Sequence, residues 1–257
     1  MKKISIIGNG NMAKAIIYGI IKDIEIEVVG RDINKLERLR EELEGKISIS
    51  QIHDGFSIDG KNIILAVKPQ NLDNLSKMLR GRARHLFSVL AGTNLNKIKT
   101  NISADGYIRA MPNLSAIYGA SMTALYGDEV AMGEAIFLFN KIGHIIELQN
   151  ENEIDIATAI TGSGPAFLAL IAEAMADGGV KNGLKRTDSE KLVKGLFFGF
   201  SKLIENNSSF EIKNLVMSPA GTTAYGYSRL ESHGVRASFI ETIDESVKRA
   251  KELSNLT

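Results

Sequence analysis

The sequence predicts an α/β chain: a doubly wound parallel sheet followed by an all-α half. Three observations predict it. Short β-like runs alternate with helical patterns through the first half, and a glycine-rich turn separates the first strand from the first helix. No strand signal of comparable strength follows Asn150. Such alternation argues for parallel strands joined by helices that cover both faces of a sheet.

The elements follow in order. Ile4-Ser5-Ile6-Ile7 is the first strand, and Met12 to Lys22 is helical with apolar Ala15, Ile16 and Ile20. Glu25 to Val29 is a second strand. Asn34 to Glu44 is a charged helix, with Leu36, Leu39 and Leu43 spaced by three and four. Lys46 to Ser50 is a short strand and Asn62 to Val67 a buried one. Leu72 to Leu79 is helical, His85 to Leu90 is a further strand, and a short strand precedes Arg109. Beyond Asn150, helical patterns cover Glu151 to Met175, Asp188 to Glu205, Pro219 to Leu230 and Val235 to Leu253. The expected domains are 1–150 and 151–257.

Composition narrows the function classes. The 257 residues carry 31 Lys plus Arg against 30 Asp plus Glu, a net charge of +1. Neither a basic excess nor a basic stripe stands out, so no nucleic-acid partner is expected. The absence of Cys removes disulfides, thiolate zinc sites and cysteine nucleophiles. The first apolar run stops at Gly8, short of a signal peptide, and no stretch approaches about 18 consecutive apolar residues. A soluble, cytoplasmic protein that does not engage membranes is expected. His53, His85, His144 and His233 lack helical metal-ligand spacing, so no metal is expected. Glu41-Glu42 and Asp128-Glu129 read as solvated faces.

Gly8-Asn9-Gly10-Asn11-Met12-Ala13 has the GxGxxA form of a Rossmann-like dinucleotide-binding turn. Gly8 permits the tight turn, Gly10 lets the backbone approach a pyrophosphate, and Ala13 lets helix pack on strand. The helix start offers free N–H groups to the phosphates. The second strand ends Val28-Val29-Gly30-Arg31-Asp32. Arg31 suits a 2′-phosphate and Asp32 a ribose, or both cap the next helix. The reading favours NADP(H), with NAD(H) as the other cofactor.

Three later loops belong on the same sheet edge. In Ala66-Val67-Lys68-Pro69-Gln70, Lys68 is suited to approach cofactor phosphates or ribose and Pro69 to stiffen the turn, and the stretch reads equally as an ordinary loop with a solvated lysine. Ala91-Gly92 is small enough for a nicotinamide to lie close. Asn113, in Arg109-Ala110-Met111-Pro112-Asn113, is suited to orient the nicotinamide amide or a water. Arg109 reads equally as an ion-pair partner.

The second half carries two unusual segments. Thr158 to Phe167 places small residues around Pro165, which suits the first turn of a new helix. In Met217 to Ala224, Ser218 reads as an N-cap and Pro219 as the first helical residue, a receptor for a carboxylate. Ala157 to Ala176 and Leu192 to Phe200 are apolar nearly all round. Helices of that kind need partners, so an isologous homodimer is expected, with active sites between one α/β domain and helices of either subunit.

Taken together, these stretches resemble pyrroline-5-carboxylate reductase over essentially the whole chain. The resemblance is carried by Gly8 to Ala13, Ala66 to Gln70 and Met111-Pro112-Asn113. It is carried most specifically by Thr161 to Phe167, Asp177-Gly178-Gly179-Val180 and Ser218 to Thr223. It implies NAD(P)H-dependent reduction of 1-pyrroline-5-carboxylate to L-proline by a homodimer that assembles further, commonly into decamers. It also implies that Gly8 to Ala13, Ala66 to Pro69 and Ala91 contact the cofactor. The substrate carboxylate would lie on Ser218 to Thr223, held by Gly221, Thr222 and Thr223, with Thr223 near the ring nitrogen. Glu151 matches a family acid near that nitrogen, with Glu153 as its rival. Thr161, Phe167 and Ala220 depart mildly from the family pattern.

The chemistry is hydride attack on a protonated C=N carbon. No obvious general acid is present, so the imine is either protonated by the enzyme or bound already protonated. Thr223 is assigned positioning and hydrogen bonding, since a hydroxyl is too weak an acid. Two alternatives stand beside this reading. One is a hydroxyacid-dehydrogenase-type reductase, for which Lys181 and Lys191 lie in no matching motif. The other is a catalytically inactive nucleotide-sensing relative, against which the intact Gly221-Thr222-Thr223 argues.

Overall fold

A computed structural model describes residues 1–256. The strands are β1 (Lys3–Ile7), β2 (Glu25–Gly30), β3 (Ser48–Gln51), β4 (Phe56–Ser57), β5 (Asn62–Leu65), β6 (Leu79–Arg80), β7 (Ala83–Ser88), β8 (Ala104–Met111), β9 (Ser121–Gly127) and β10 (Gly143–Glu147). The helices are α1 (Asn11–Ile20), α2 (Ile33–Glu42), α3 (Leu72–Met78), α4 (Leu95–Asn101), α5 (Glu129–Phe139) and α6 (Asn152–Ala157). Five more follow: α7 (Gly164–Lys181), α8 (Arg186–Asn206), α9 (Ser209–Val216), α10 (Thr222–Ser232) and α11 (Val235–Leu256).

Eight strands form one sheet in the order β10-β9-β8-β7-β5-β1-β2-β3, parallel except where β9 meets β8. The order reverses at β1, which pairs Ile6 with Val28 on one side and Ile64 on the other. Ligands bind at such switch points, outside the carboxyl ends of the strands. The turns after β1, β2 and β5 therefore converge there.

Alternation along each strand fills two cores. Ile4, Ile6, Val28 and Ile64 face α1, α2 and α5, while Ile7, Val29, Ile63 and Leu65 face α3 and α4. Ala13, Ile16, Ile17 and Ile20 bury one stripe of α1, each isoleucine contributing about 1.5–3 kcal/mol. That packing outweighs the modest helix propensity of three isoleucines. One polar cluster interrupts the pattern: Glu27 accepts from Ser5 Oγ at 2.6 Å, Ser50 Oγ at 2.7 Å and Lys61 Nζ at 2.9 Å. Burial pushes the Glu27 carboxyl up, but the three hydrogen bonds and the Lys61 charge outweigh it, leaving the group below its ordinary value.

The described chain divides into two compact units, residues 1–162 with 246–256, and residues 163–245. Helix α6 belongs with the sheet because Ile154 and Asp155 are buried against it. In the helical unit, α7 and α8 meet where Ser189 Oγ donates to Ala176 O at 2.8 Å. The contact is close: a Cβ on Gly179 would lie 2.2 Å from Ser189 Oγ. Leu168, Leu170, Leu192, Leu196 and Phe198 stay exposed. The stretch Asn152–Lys181 is long and apolar enough to cross a membrane by length and composition alone.

Several elements differ from expectation. β9, β10 and α5 were not predicted, and neither was α9, which a capping box between Ser208 and Glu211 starts. Helix α10 begins at Thr222 with Gly221 as its N-cap, so Ser218 and Pro219 precede the helix rather than open it. Glu129 is exposed, whereas Asp128 is only partly so and accepts from Lys99 Nζ at 2.9 Å and Tyr107 N at 3.1 Å.

Candidate active site

Gly8 lies where β1, β2 and β5 meet. Its φ is +120°, its N–H donates to Val29 O at 2.8 Å, and a Cβ there would stand 2.4 Å from Ala66 O. Only glycine fits that backbone. Gly10 is different. It is the N-cap of α1 at φ −76°, and a Cβ on it would meet nothing within 4 Å. Its side-chain volume is left open in front of a helix start with no side-chain cap and no acidic residue in its first turn.

A cleft of about 520 Å³ opens there, lined by Gly8, Asn9, Gly10, Gly30, Arg31, Lys35, Ala66, Val67 and Lys68, among others. Three cations and no carboxylate line it. Asn11, Met12 and Ala13 form the first turn of α1, and Pro69 opens a short 3₁₀ turn after Lys68. Asp32 resolves toward capping: its Oδ1 accepts from Lys35 N at 3.2 Å, and Lys35 Nζ lies 3.9 Å from Oδ2. Gln51 Nε2 holds Arg31 O at 2.9 Å, fixing the backbone from which the Arg31 side chain leaves. An uncapped helix start, an open glycine and a cationic rim are the donor set a dinucleotide's phosphates require.

The other expected residues lie elsewhere. Ala91 is exposed in the turn after β7, next to buried Gly92 at φ +62°. Asn113 Oδ1 accepts from Ser115 N at 3.1 Å and its Nδ2 donates to Thr161 O at 3.0 Å, so both ends of its amide have protein partners. Glu151 lines a separate hollow with Asn94, Arg109 and Asp155. Its Oε1 accepts from Leu95 N at 2.6 Å and Arg109 Nη1 at 3.3 Å. Glu153 instead accepts from Gln149 N at 2.8 Å and Asn150 Nδ2 at 2.7 Å, which commits it to the turn before α6.

In the helical unit, Ser218 to Thr223 form a second uncapped helix start. Ala220 sits at φ +58°, Gly221 N donates to Ser218 O at 3.1 Å, and no side chain caps α10. Thr223 is half-buried. The left-handed backbone at Ala220 accounts for glycine being common there in the family that the sequence resembles.

Two residues of interest were missed in the sequence. Lys35 joins the cleft from the first turn of α2, a cation at a helix start being the available signal. Asp155 pairs with buried Arg109, and an acid inside an apolar helical run was its only trace.

The fold and the glycine-lined cleft define an oxidoreductase that uses a nicotinamide cofactor. The comparisons with known proteins specify it. Residues 151–253 match a family model for pyrroline-5-carboxylate reductase dimerisation, and residues 3–92 match one for NADP oxidoreductase, coenzyme F420-dependent. The chain is 34% identical over 258 residues to the pyrroline-5-carboxylate reductase of Helicobacter pylori, covering 98% of this chain and 100% of that protein. A solved structure of 1-pyrroline-5-carboxylate reductase from Streptococcus pyogenes has a TM-score of 0.85 at 28% identity, covering 97% of this chain and 98% of that one. The Plasmodium falciparum pyrroline carboxylate reductase with NADP bound has a TM-score of 0.79 at 25% identity, covering 98% of this chain and 99% of that one. The chain belongs to the pyrroline-5-carboxylate reductase family. It reduces 1-pyrroline-5-carboxylate in proline biosynthesis, and it self-associates.

Proposed function

We propose that the enzyme prefers NADPH and that its two uncapped helix starts divide the binding work. The carrying observation is the cleft at Gly8 and Gly10, rimmed by Arg31, Lys35 and Lys68 with no carboxylate. The first-turn N–H groups of Asn11, Met12 and Ala13 receive the pyrophosphate, with the Asn9 backbone beside them. Arg31 meets the 2′-phosphate as a fork of donors, while Asp32 caps α2 through the N–H of Lys35. Ala66, Val67, Lys68 and Pro69 form the opposite wall, and Ala91 borders the nicotinamide ring. Asn113 keeps one amide N–H to offer, and it positions the loop through Thr161.

Ser218, Gly221, Thr222 and Thr223 hold the substrate carboxylate at the start of α10, where free N–H groups and the helix dipole favour an anion. Thr223 hydrogen-bonds at the ring nitrogen and fixes the face that accepts hydride. It does not supply the proton, because its hydroxyl is too weak an acid. The bound cofactor supplies the hydride. The protein's own contribution is to hold its partners at a near-attack distance of about 3–3.5 Å and exclude water.

The exposed leucines of α7 and α8 support a homodimer formed by the helical units, and further assembly into a decamer accords with the family. We place the enzyme in the cytoplasm, acting on a small molecule with neither nucleic acid nor membrane as a partner. The test is proline formation with NADPH and with NADH, alongside Thr223→Val. NADPH is expected to be the better donor, and Thr223→Val is expected to lower kcat roughly tenfold or more, in line with one lost hydrogen bond to a charged group. Equal rates with both cofactors would remove the Arg31 assignment. An unaltered Thr223→Val would remove that of Thr223.

A further inference from the structure

Arg109 is the bulkiest of the fully buried side chains, 1% exposed on β8. Its Nη2 donates to Asp155 at 2.6 Å and its Nη1 to Glu151 at 3.3 Å. A charge so placed is costly unless its partners are well fixed, and losing one partner leaves the rest uncompensated. Glu151 is fixed twice, because the same Oε1 also accepts the N–H of Leu95 at 2.6 Å. Leu95 opens α4 and closes the loop that begins at Ala91. In that loop Gly92 is left-handed at φ +62°, and Thr93 is buried with a hydroxyl that has no hydrogen-bond partner. The Glu151 carboxylate ties the end of that loop from outside it.

We propose that Arg109 and Glu151 are positioning residues: Glu151 joins the end of the Ala91–Asn94 loop to the Arg109–Asp155 pair, and so sets where the nicotinamide ring rests. The proposal depends on the reading that Ala91 borders that ring. It gives Glu151 work inside the protein, where the family resemblance alone implied contact with substrate. Lysine cannot reproduce the arrangement at 109, since a single ammonium lacks the planar fork that reaches two carboxylates.

The test compares Glu151→Ala, Glu151→Gln and Arg109→Lys. Three readouts are needed: hydrogen exchange of the Leu95 amide without cofactor, the Kd for NADP+, and kcat against KM for 1-pyrroline-5-carboxylate. Glu151→Ala should speed Leu95 exchange at least about tenfold and lower kcat about 10–100-fold, the scale of a small misplacement of a reactant. KM for substrate should stay within about twofold. Glutamine keeps an acceptor for Leu95 and Arg109, so Glu151→Gln should recover most of kcat. Arg109→Lys should follow Glu151→Ala in direction. Should that variant fail to fold, the two Glu151 variants carry the test. A KM raised tenfold with Leu95 exchange unchanged would make Glu151 a substrate contact and overturn the proposal. Faster exchange with unchanged kcat would overturn it too. Failure of the wild-type protein to bind NADP+ would instead defeat the cofactor reading on which it rests.

Discussion

The two helix starts at Gly10 and Gly221 use one device in two settings. Each has a glycine N-cap at φ −76°, no side-chain cap and no acidic residue in its first turn. Each is preceded by a residue with positive φ, Gly8 at +120° and Ala220 at +58°. The difference lies in what surrounds them. Gly8 is wedged against the backbone of Ala66, a distant strand end, whereas Gly221 faces the side chain and carbonyl of Ser218 in its own turn. The first start is fixed by the sheet. The second is fixed by one turn of local backbone, and it tolerates an alanine in the left-handed region.

The largest expected effect comes from forcing a side chain into the first start. Gly8→Ala combines a strained φ with a backbone clash, a loss of about 3–5 kcal/mol of stability. Its melting temperature should collapse along with cofactor binding. Gly10→Ala should melt within about 1 kcal/mol of the parent, because open space receives its Cβ. It should still raise the Kd for NADP+ at least tenfold, and titration would read it. If both variants melted alike, the contrast between a structural and a ligand-facing glycine would fail.

Arg31→Ala should shift the preference from NADPH toward NADH by about 10–100-fold, the range for losing hydrogen bonds to a charged group. The ratio of the two kcat/KM values reports it. An unchanged ratio would transfer the 2′-phosphate to Lys35. At the second start, Ala220→Gly should leave activity intact and raise stability by at most about 1 kcal/mol. Relief of the left-handed strain, about 1–2 kcal/mol, is partly offset by glycine's greater unfolded freedom. A lower melting temperature would show that this backbone is unstrained.

The smallest effect concerns pH. Glu27 is held below its ordinary value of 4.5, so its contribution to stability is complete above that value. The contribution fades as the pH falls through the lower folded value. Glu27→Gln should therefore flatten the acid side of the melting-temperature profile and leave the neutral side parallel to the parent. An unchanged acid limb would mean that the Ser5, Ser50 and Lys61 hydrogen bonds do not favour the charged form.

The first start was legible because its glycines, its strand and its helix adjoin in the chain. Short, nearly continuous apolar runs also gave away β1, β2 and β5, which are covered on both faces. At the second start, Ser218-Pro219 mimics a cap and first turn, yet Gly221 does the capping. Choosing between them depends on the φ of Ala220, which no side-chain pattern encodes. Strands β9 and β10 escaped because each lies beyond the parallel run and mixes polar with apolar residues. Arg109, Glu151 and Asp155 are separated by up to 46 residues, so only the fold reveals their pairing.

The division of labour between the two helix starts is tested most directly by steady-state kinetics of Gly10→Ala and Gly221→Ala, with 1-pyrroline-5-carboxylate and NADPH varied in turn. Gly10→Ala is expected to raise KM for NADPH about tenfold or more and to spare KM for the substrate. Gly221→Ala should do the reverse. Both variants moving the same constant, or neither moving any, would contradict it.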